Sequence, residues 1–541
     1  MFKSKKKKNR EILERQQKVK EDYFDFDRIS LFFLHEDHQE GRQIIDARTL
    51  NDLDFKELFI SLDRTASSIG QQYLYSKLRV IPRDVSESQV FDHYIHHLNS
   101  KTEQKEDAII ELSKLNNSGA YFLQRLFFGE NIEKPKWFWI IPILSMSMVV
   151  SLLISIFYPY VLLVALLFAS VNTLLHIWNK NNIMGYSNTI PQLLMLHKVA
   201  FILNEKELFL NAQEAVSRSI QALVKIRRSA IFFKWESNAK NEIAQAVDSI
   251  LDLIKGAFLI EPIIFFRLLK QIASNKTDIK TIYEAVGQLD SAISISTWRE
   301  SLPFYCKPEY SASSVKTWNS EKLYHPLIEK PESNDLEIAD QKSILVSGSN
   351  MSGKTTYIRT IGINALLAQT INTACAQRLT LSKFKIFSAI RIADDLLDNT
   401  SYYYAEVKTI KKLSDESQSG DFNIFLLDEI FKGTNTIERI ASGKAVLSFL
   451  NDSTNLVFCS THDLELIDYL QKEYEYYHFE ETIEDGQLIF DYKLKKGSLN
   501  KTNAIRILEM NDFPKQITEE AKSLAVELRK IKKITNGKLY E

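Results

Sequence analysis

Apolar residues recur at helical spacing through most of the N-terminal half of this chain. Between residues 50 and 82 they line one face of a predicted pair of helices that meet near residues 67–70: Leu53, Phe55, Leu58, Phe59 and Leu62. The spacing continues through residues 90–98 and 108–128, and again through 190–298, where proline occurs only at positions 191 and 262. Long helices are therefore predicted for this part of the chain.

One segment departs from the pattern because it has no polar face. From Trp137 to Trp178 there is no Asp, Glu, Lys or Arg, and the only interruption is Tyr158-Pro159-Tyr160. Each arm, 137–157 and 161–178, has roughly 20 residues, which at about 1.5 Å per residue matches a hydrocarbon core of roughly 30 Å. The pattern predicts a transmembrane helical hairpin that contacts the lipid bilayer through residues 137–178. The alternative is a hairpin buried in a soluble core, which would normally keep a polar face.

The residues around the hairpin predict its orientation. Lys134 and Lys136 precede it and Lys180 follows it, whereas its turn is uncharged. The positive-inside rule then predicts a multi-pass protein of the cytoplasmic membrane with both termini in the cytoplasm. Aromatic residues occupy interfacial positions: Trp137, Trp139, Tyr158, Tyr160 and Trp178. Two spans are too few for a translocation path, so the hairpin is interpreted as an anchor.

Length and composition bound the fold class. With 541 residues the chain exceeds a single core, and three or four structural units are expected. A net charge of −1 gives no global attraction to nucleic acid, so any such contact needs a local patch. Cys306, Cys375 and Cys459 lie far apart without CxxC spacing, which indicates a reducing compartment and no metal site at these positions.

Basic residues cluster in two places. The first ten residues include six basic residues: Lys3, Lys5, Lys6, Lys7, Lys8 and Arg10. This start is interpreted as a solvated tail or as a segment attracted to anionic lipid or nucleic acid. The second cluster, Lys225, Arg227 and Arg228 followed by Lys234 beside Trp235, predicts a solvated helix face or a set of phosphate contacts.

The segment that most specifically predicts a chemical function lies between an apolar strand at 344–347 and a helical pattern at 357–367. The connecting residues have the spacing Gly-x-x-x-x-Gly-Lys-Thr of a phosphate loop. The residues expected to bind nucleotide are Gly348, Ser349, Asn350, Met351, Ser352, Gly353, Lys354, Thr355 and Thr356. Glycine lets the backbone turn so that N–H groups point at phosphates. Lys354 would bridge the terminal phosphates of ATP, and the Thr355 hydroxyl would hold Mg²⁺.

Two carboxylates follow a second apolar strand that begins at Asn423. Asp428 is expected to complete the Mg²⁺ site, and Glu429 to orient or deprotonate the attacking water. A further strand at 456–460 leads into His462, which could hydrogen-bond the γ-phosphate. The sequence therefore predicts catalysis by Lys354, Glu429 and His462.

Six motifs surround these residues: Gly348–Thr355; Tyr357–Arg359 with Ala365–Gln369; Ile390–Leu396; Ser401–Glu406; Asp428–Thr436; and Ser460–Asp463. Together they closely resemble the ATPase domain of the MutS family of DNA mismatch-repair proteins, over about residues 305–522. The Asn-Met pair inside the phosphate loop and the Gly-Thr-x-Thr after the carboxylates distinguish that family among ABC-type ATPases. A weaker resemblance to the MutS core and lever helices covers residues 53–82 and 284–326.

The resemblance implies further roles. Ser401 matches a signature serine that reaches the γ-phosphate of the opposite subunit, so ATP and Mg²⁺ would lie between two copies in a homodimer. His478 matches a histidine near the adenine, although a packing role fits it as well. Residues 497–522 resemble a C-terminal dimerisation element, with Thr502-Asn503-Ala504 in place of Ser-Tyr-Gly. The family also implies binding of mismatched or branched DNA, whereas other repair partners stay unknown.

Several departures limit the resemblance. Only about fifty residues precede the core, too few for the mismatch-reading and connector domains, and Phe55-Lys-Glu57 is interpreted as a chance Phe-x-Glu. The position of an adenine-stacking aromatic falls near Glu332–Ser333, so that contact is expected to be lost. No nuclease domain is recognised at the C-terminus. A half of an ABC transporter is disfavoured because the Leu-Ser-Gly-Gly signature is missing and two spans cannot line a pathway.

The predicted fold is an α/β ATPase domain of the ABC type, with a P-loop and a mixed sheet, preceded by an all-α core and lever region that contains the hairpin. The predicted divisions are a basic extension (1–49), helical core (50–132), transmembrane hairpin (133–182), lever helices (183–304), ATPase domain (305–496) and dimerisation element (497–541). The predicted function is a membrane-anchored MutS-like ATPase with a dimeric composite site, working on DNA in a repair-type role. The alternative is a nucleotide-switched membrane scaffold that organises protein partners without DNA.

Overall fold

The chain forms two compact units. The computed structural model describes residues 2–39, 41–129, 135–187, 189–230, 254–338, 342–349, 351–391, 402–484, 487–497 and 504–538. The first unit comprises the described parts of 1–40, 59–79 and 86–301. The second comprises those of 41–58, 80–85 and 302–541.

The first unit is helical throughout its described residues, as the spacing of apolar positions predicts. Its α-helices are Phe2–Gln16, Phe26–Ile29, Leu31–His35, Ser68–Arg79, Ser86–Asn99, Thr102–Leu112, Arg125–Phe128, Ile140–Ser155, Leu162–Ser187, Thr189–Glu205, Gln213–Ala222, Val224–Ala230, Ile260–Ser274 and Lys276–Ser301. Short 3-10 turns cover Ser113–Leu115, Ala120–Phe122, Pro159–Val161 and Leu210–Ala212. The helix Phe55–Leu62 crosses the boundary between the two units. The all-helical region ahead of the α/β domain is thus confirmed.

Two helices, Ser68–Arg79 and Lys276–Ser301, pack closely at the centre of the first unit. A Cβ atom on Gly70 would lie 2.2 Å from Asp290 Oδ2, so only glycine permits this approach. The Asp290 carboxylate is fully buried and accepts hydrogen bonds from the backbone N–H groups of Ala66 and Ser67, both at 2.8 Å. The Ser67 hydroxyl donates to it at 2.5 Å. One carboxylate therefore satisfies the donors that precede the first of these helices.

Replacing Asp290 by alanine should destabilise the first unit. The Asp290→Ala variant leaves the N–H groups of Ala66, partly buried, and Ser67, buried, without this acceptor, and a loss of about 3 kcal/mol is expected in the free energy of unfolding. Chemical denaturation followed by circular dichroism measures it. The matched control is Asp107→Ala, which removes an exposed carboxylate paired with Lys206 and should stay within about 0.5 kcal/mol of the unaltered chain. Equal effects of the two changes would contradict this role of Asp290.

The predicted membrane hairpin corresponds to two apolar helices, of which one is long enough to cross a bilayer. Among the described residues, the segment Pro159–Trp178 meets the length and composition of a span, and 17% of it is buried, unlike the core helix of a soluble protein. The preceding helix, Ile140–Ser155, has 16 residues, or about 24 Å. The expectation of two full-length spanning helices is therefore corrected to one full-length helix and one shorter partner. Lys134 lies outside the described residues.

The second unit is built on a six-stranded sheet. Its strand order is Lys495–Lys496, Tyr474–His478, Ser343–Ser347, Asn455–Ser460, Asn423–Asp428 and Lys385–Ala389. All neighbours are parallel except the first pair. Flanking helices are Ala47–Asp52, Lys354–Ile371, Tyr402–Glu416, Thr436–Leu450, Leu464–Leu470, Ala504–Met510 and Lys515–Lys538. The predicted α/β class of this unit, with a mixed sheet and flanking helices, is confirmed.

Three smaller sheets complete the second unit. A four-stranded sheet has the order Glu309–Tyr310, Arg378–Leu381, Trp318–Leu323 and Asn334–Glu337. Two antiparallel pairs are Gly41–Ile44 with Val80–Pro82, and Glu481–Glu484 with Gln487–Phe490. The first pair brings residues from the beginning of the chain into the unit that holds the large sheet.

The register of the large sheet places the predicted catalytic and metal-binding residues at the carboxyl ends of its central strands. All five residues of Ser343–Ser347 are buried, as expected for a strand covered on both faces. Ser460 is paired with Val346 on one side and with Asp428 on the other. The carboxyl ends of three parallel strands therefore meet, and this crevice is where open α/β sheets bind ligands.

Candidate nucleotide-binding site

The phosphate loop follows the central strand and ends at the helix Lys354–Ile371. Gly348 has φ +151° and Gly353 has φ +106°, in the region that favours glycine. A Cβ atom on Gly353 would lie 3.2 Å from the ring of Tyr492, so the glycine also permits a close approach from a distant segment. Met351 adopts φ +72° and its side chain is 83% exposed. Asn350 lies outside the described residues.

Lys354 lies folded over the loop that precedes it. Its Nζ atom donates to the carbonyl oxygens of Gly348 and Ser349, both at 2.9 Å. The side chain is 4% exposed, and burial lowers the pKa of its ammonium group. Nζ is also 3.4 Å from Nε2 of His462. The ammonium group is thus held by neutral carbonyl oxygens, which phosphate oxygens can replace at lower energy.

Thr355 and Asp428 form the group of oxygen atoms expected at the magnesium position. The Thr355 hydroxyl donates to Asp428 Oδ2 at 2.9 Å, and the Ser460 hydroxyl donates to Asp428 Oδ1. A hydroxyl and a carboxylate supply the oxygen ligands that Mg²⁺ prefers. These two side chains are too few to complete its coordination alone. Mg²⁺ usually keeps several waters and takes further ligands from the phosphates of its substrate. The residues therefore fit Mg²⁺ held jointly with a nucleotide.

Glu429 and His462 are paired across the ends of two neighbouring strands. Glu429 Oε1 is 2.8 Å from His462 Nε2, and its other oxygen is 3.0 Å from Lys432 Nζ. The hydrogen bond from His462, followed by that from Lys432, lowers the pKa of Glu429 to about 2. A carboxylate stabilised to this degree is a weak base, so releasing it from His462 would strengthen it.

The backbone at Glu429 is in a sparsely populated conformation. Glu429 has φ +50° and Phe431 has φ +62°, both unusual for residues other than glycine. Two hydrogen bonds maintain this loop: the N–H of Glu429 donates to Ser460 O at 3.1 Å, and the N–H of Phe431 donates to the buried Glu406 carboxylate. Such strain clusters at functional sites.

A cavity of about 480 Å³ lies beside the phosphate loop. Seventeen residues line it, including six of the predicted nucleotide-binding residues and Glu429: Leu323, His325, Ile328, Lys330, Glu332, Asn334, Ser349, Met351, Gly353, Lys354, Thr355, Thr356, Tyr357, Thr360, Glu429, Phe479 and Tyr492. A volume of this size suits a small-molecule ligand. The phosphate loop and the start of the helix that follows it supply part of the lining, and the other lining side chains are a mixture of apolar, aromatic and polar groups.

Several lining residues could not be found from sequence. Tyr492 follows the last strand of a short hairpin, in a segment with no motif, and its ring stacks on Phe490 at a centroid distance of 5.9 Å. Tyr492 is 45% exposed and lines the cavity, so part of its surface is accessible there. Ile328 and Phe479 add apolar surface from two other segments. Glu332, at the position where the resemblance predicts that the family's adenine-stacking aromatic is lost, lines the cavity and pairs with Lys493.

Several predicted site residues do not belong to the described lining of this cavity: Gly348, Ser352, Asp428, His462 and His478. His478 ends the strand Tyr474–His478, and its Nδ1 is 2.9 Å from Gly497 O. It does not belong to the residues that line the cavity, so its role near adenine stays a prediction beside the packing role. Ser401 lies outside the described residues, immediately before the helix Tyr402–Glu416. Its role in a composite site also stays a prediction.

His325, which lines this cavity, is expected to make the free energy of unfolding depend on pH. Burial lowers the pKa of its imidazole to about 4 from the usual 6.5. A depressed histidine pKa gives stability that is present above pH 6.5 and lost as pH falls towards 4, because the unfolded chain binds the proton first. Between pH 7 and pH 5 the loss should be about 2 kcal/mol in the free energy of unfolding. Denaturant titrations at both pH values measure it, and His325→Asn should remove most of the difference.

Comparison with known proteins bears on this geometry. The family model for MutS domain V matches residues 344–529, from the central strand into the helix Lys515–Lys538. This segment of the chain is therefore similar to MutS domain V. The chain is 27% identical to the DNA mismatch repair protein MutS of Listeria welshimeri over 315 residues, which are 56% of this chain and 36% of that protein. For the MutS protein of Bacillus pumilus the values are 26% over 298 residues, 53% of this chain and 34% of the relative.

A third relative, the DNA mismatch repair protein MutS of Staphylococcus epidermidis, is 27% identical over 300 residues and 34% of its length is matched. The chain therefore spans about a third of the length of the curated relatives it matches. The domain V match includes Lys354, Thr355, Asp428, Glu429 and His462. The similarity thus covers the segment that carries the candidate site.

Proposed function

We propose that this protein binds ATP with Mg²⁺ in the cavity beside the phosphate loop and hydrolyses it. The observation that carries this proposal is the convergence of Lys354, Thr355, Asp428, Glu429 and His462 at the carboxyl ends of adjacent strands. Phosphoryl transfer depends mainly on positioning and on charge stabilisation, and these residues supply both. Tyr492 is proposed to stack on the adenine.

Each residue has a distinct role in the proposed reaction. Lys354 leaves its carbonyl partners and contacts the terminal phosphates, while Thr355 and Asp428 hold the metal ion. Bound Mg²⁺ neutralises charge on the phosphate oxygens. His462 turns from Glu429 to the γ-phosphate, which removes the hydrogen bond that depresses the pKa of Glu429. Glu429 then accepts the proton of the attacking water, and that water attacks the γ-phosphorus as ADP leaves.

We further propose that the site is completed by a second copy of the chain. Ser401 of one protomer would contact the γ-phosphate bound by the other, as the resemblance to MutS implies. The helix Tyr402–Glu416, which follows Ser401, exposes Tyr403, Tyr404 and Val407, apolar side chains suited to an interface. Nucleotide binding would then promote homodimers, with the C-terminal helix Lys515–Lys538 as a further contact.

We propose that residues 137–178 anchor the protein in the cytoplasmic membrane, with both termini and the nucleotide site in the cytoplasm. Exposed apolar side chains along the two apolar helices support this proposal, because a contiguous apolar surface of this extent is rare in soluble monomers. Examples are Leu163 at 72% exposed, Met146 at 64% and Leu167 at 64%. A lipid environment would cover them.

We propose that the ATPase acts on DNA in a repair-type role. Support comes from the relatives, which are named DNA mismatch repair proteins, and from a basic helix, Val224–Ala230, on which Arg227 and Arg228 are exposed. Lys234 and Trp235, part of the same predicted patch, lie outside the described residues. The alternative proposal is a scaffold that responds to nucleotide and organises protein partners.

ATP turnover by the full-length protein in lipid nanodiscs separates these proposals. We expect hydrolysis without DNA, and a several-fold increase with mismatched duplex that weakens as salt is raised, because counterion release drives such binding. Matched duplex serves as the control for structure preference. No stimulation and no salt-dependent affinity would favour the scaffold. No hydrolysis under any condition would reject the ATPase itself.

A further inference from the structure

Aromatic rings mark the two ends of the apolar helix pair. Trp137 and Trp178 are in contact at one end, with ring centroids 5.0 Å apart. Tyr158 and Tyr160 are in contact at the other end, at 6.0 Å. The helical path between the two ends covers roughly 28 Å, close to the thickness of a hydrocarbon core. Depth in a bilayer can therefore be counted along either helix from the tryptophan end.

Two polar side chains lie at the same depth on the two helices. Ser145 is about one and a half turns beyond Trp139, and Asn172 is the same interval before Trp178, so both lie roughly 9 Å inside the tryptophan level. Ser145 Oγ donates to the carbonyl oxygen of Phe258 at 2.6 Å. Asn172 Nδ2, on a fully buried side chain, donates to the carbonyl oxygen of Ala257 at 2.7 Å.

The acceptors belong to a break between two helical segments. Residues 254–257 are helical, the chain turns at 258–259, and a new helix runs over Ile260–Ser274. Leu259 has φ +51°, which ends the first segment. The last carbonyl groups of a helix have no partner within it. At membrane depth there is no water to satisfy them, so protein donors are required, and Asn172 and Ser145 are such donors.

Other contacts order this segment along the membrane axis. Glu261 Oε2 is 3.2 Å from His176 Nδ1, close to the tryptophan level, and the two side chains are 4% and 5% exposed. Farther along the chain, Phe266 packs edge-on against Phe138 at 4.7 Å, before the first apolar helix begins. The chain is therefore deepest near 257–258 and returns towards the tryptophan end through the helix Ile260–Ser274.

We infer that residues 254–269 form a third membrane-embedded element, a re-entrant segment in the leaflet at the tryptophan end. Its lipid-facing surface would contact acyl chains through residues such as Ile254, which is 45% exposed. Lys255, in its deeper part, is 9% exposed, and Glu261, nearer the tryptophan level, is 4% exposed, so protein covers both charged side chains. The inference rests on the proposed membrane anchoring and extends it from two helices to a three-part assembly.

Spin-label accessibility tests the depth of the segment. The full chain carrying Cys306→Ser is labelled singly as Ile254→Cys, Leu163→Cys or Ser274→Cys in phosphatidylcholine nanodiscs, and collision with oxygen is compared with collision with a water-soluble nickel complex. Cys375 and Cys459 are fully buried and stay in place. We expect positions 163 and 254 to favour oxygen and position 274 to favour nickel.

The outcomes separate this inference from the anchoring proposal. Lipid exposure at 163 with water exposure at 254 would overturn the re-entrant segment and leave the anchor intact. Water exposure at 163 as well would overturn the anchor itself. ATP binding is measured on each labelled preparation and shows whether the labelled protein is folded.

A second variant tests the hydrogen bonds that hold the break. Asn172→Leu leaves the Ala257 carbonyl without its donor at membrane depth, and we expect a fall of about 5 °C in Tm in nanodiscs, with greater label mobility at position 254. Ser170→Ala is the matched control, because Ser170 is exposed and bonds to Leu166 O of its own helix. A Tm equal to that of the control would overturn the assignment of Asn172, since water would then have replaced the amide.

Discussion

Lys354→Met should abolish ATP binding and reduce kcat/KM for hydrolysis by about a thousand-fold or more. The ammonium group is the positive charge at the centre of the phosphate loop, and its present partners are two neutral carbonyl oxygens at 2.9 Å. Removing it takes away the positive charge that the loop itself would offer to the terminal phosphates beside Asp428 and Glu429. Preorganised electrostatic groups of this kind contribute several kcal/mol to transition-state stabilisation. Binding of a fluorescent ATP analogue and steady-state turnover measure the loss.

The chain offers a matched control in Lys316. This lysine is also 4% exposed and is also held by oxygen atoms, those of Asn451, Asp452 and Asn455 at 2.6–2.9 Å, but it does not line the cavity. Burial lowers the pKa of Lys316 to about 8. Lys316→Met should lower stability and leave turnover per folded molecule unchanged. If both variants lost turnover equally, the effect would be one of folding, and the role of Lys354 would be contradicted.

The parts of the fold that could be predicted from sequence are those specified by short-range patterns. A strand, a turn and a helix follow one another at Ser343–Ser347 and Lys354–Ile371, and glycine and lysine spacing identifies the turn between them. Asp428 and His462 each follow an apolar run, so their position at a strand end is also local information. Parallel pairing then brings these ends together without further specification.

Long-range contacts could not be predicted in the same way. Tyr492 reaches Gly353 across about 140 residues of chain, and nothing near Tyr492 in sequence indicates that approach. The strand Gly41–Ile44 belongs to the second unit through contacts with residues that are remote in sequence. The Gln43 side chain, for example, hydrogen-bonds both the N–H and the carbonyl oxygen of Ile386. Such pairings depend on complementary surfaces that a single sequence does not reveal.

The hairpin shows why apolar length alone misjudges a helix boundary. Residues 137–139 are as apolar as those that follow, yet they form turns, with the N–H of Phe138 donating to Pro135 O and that of Ile140 donating to Trp137 O. Phe138 packs on Phe266 and Trp137 on Trp178, and these aromatic contacts favour the turn over another helical turn. Composition gives the apolar extent correctly, whereas tertiary packing decides where the helix begins.

Glu429→Gln should separate binding from hydrolysis. The amide keeps the shape of the carboxylate and leaves Lys354, Thr355 and Asp428 unaltered, so affinity for ATP should change little. Loss of the proton acceptor should lower kcat by about 100- to 10,000-fold. ATP would then persist between two protomers, and sedimentation should detect an ATP-dependent dimer that ADP does not support. Equilibrium binding, turnover and sedimentation on one preparation give the three readouts.

The control for this change is Glu309→Gln, which neutralises an exposed carboxylate paired with Arg378 in the four-stranded sheet. Its turnover should match that of the unaltered chain, because it is remote from the phosphate loop in the same unit. Three results would each remove a different claim. Unchanged turnover in Glu429→Gln would exclude Glu429 as the proton acceptor, and lost ATP binding would make its role structural. Trapped ATP without dimers would leave hydrolysis in place while excluding a site completed by Ser401 of a second copy.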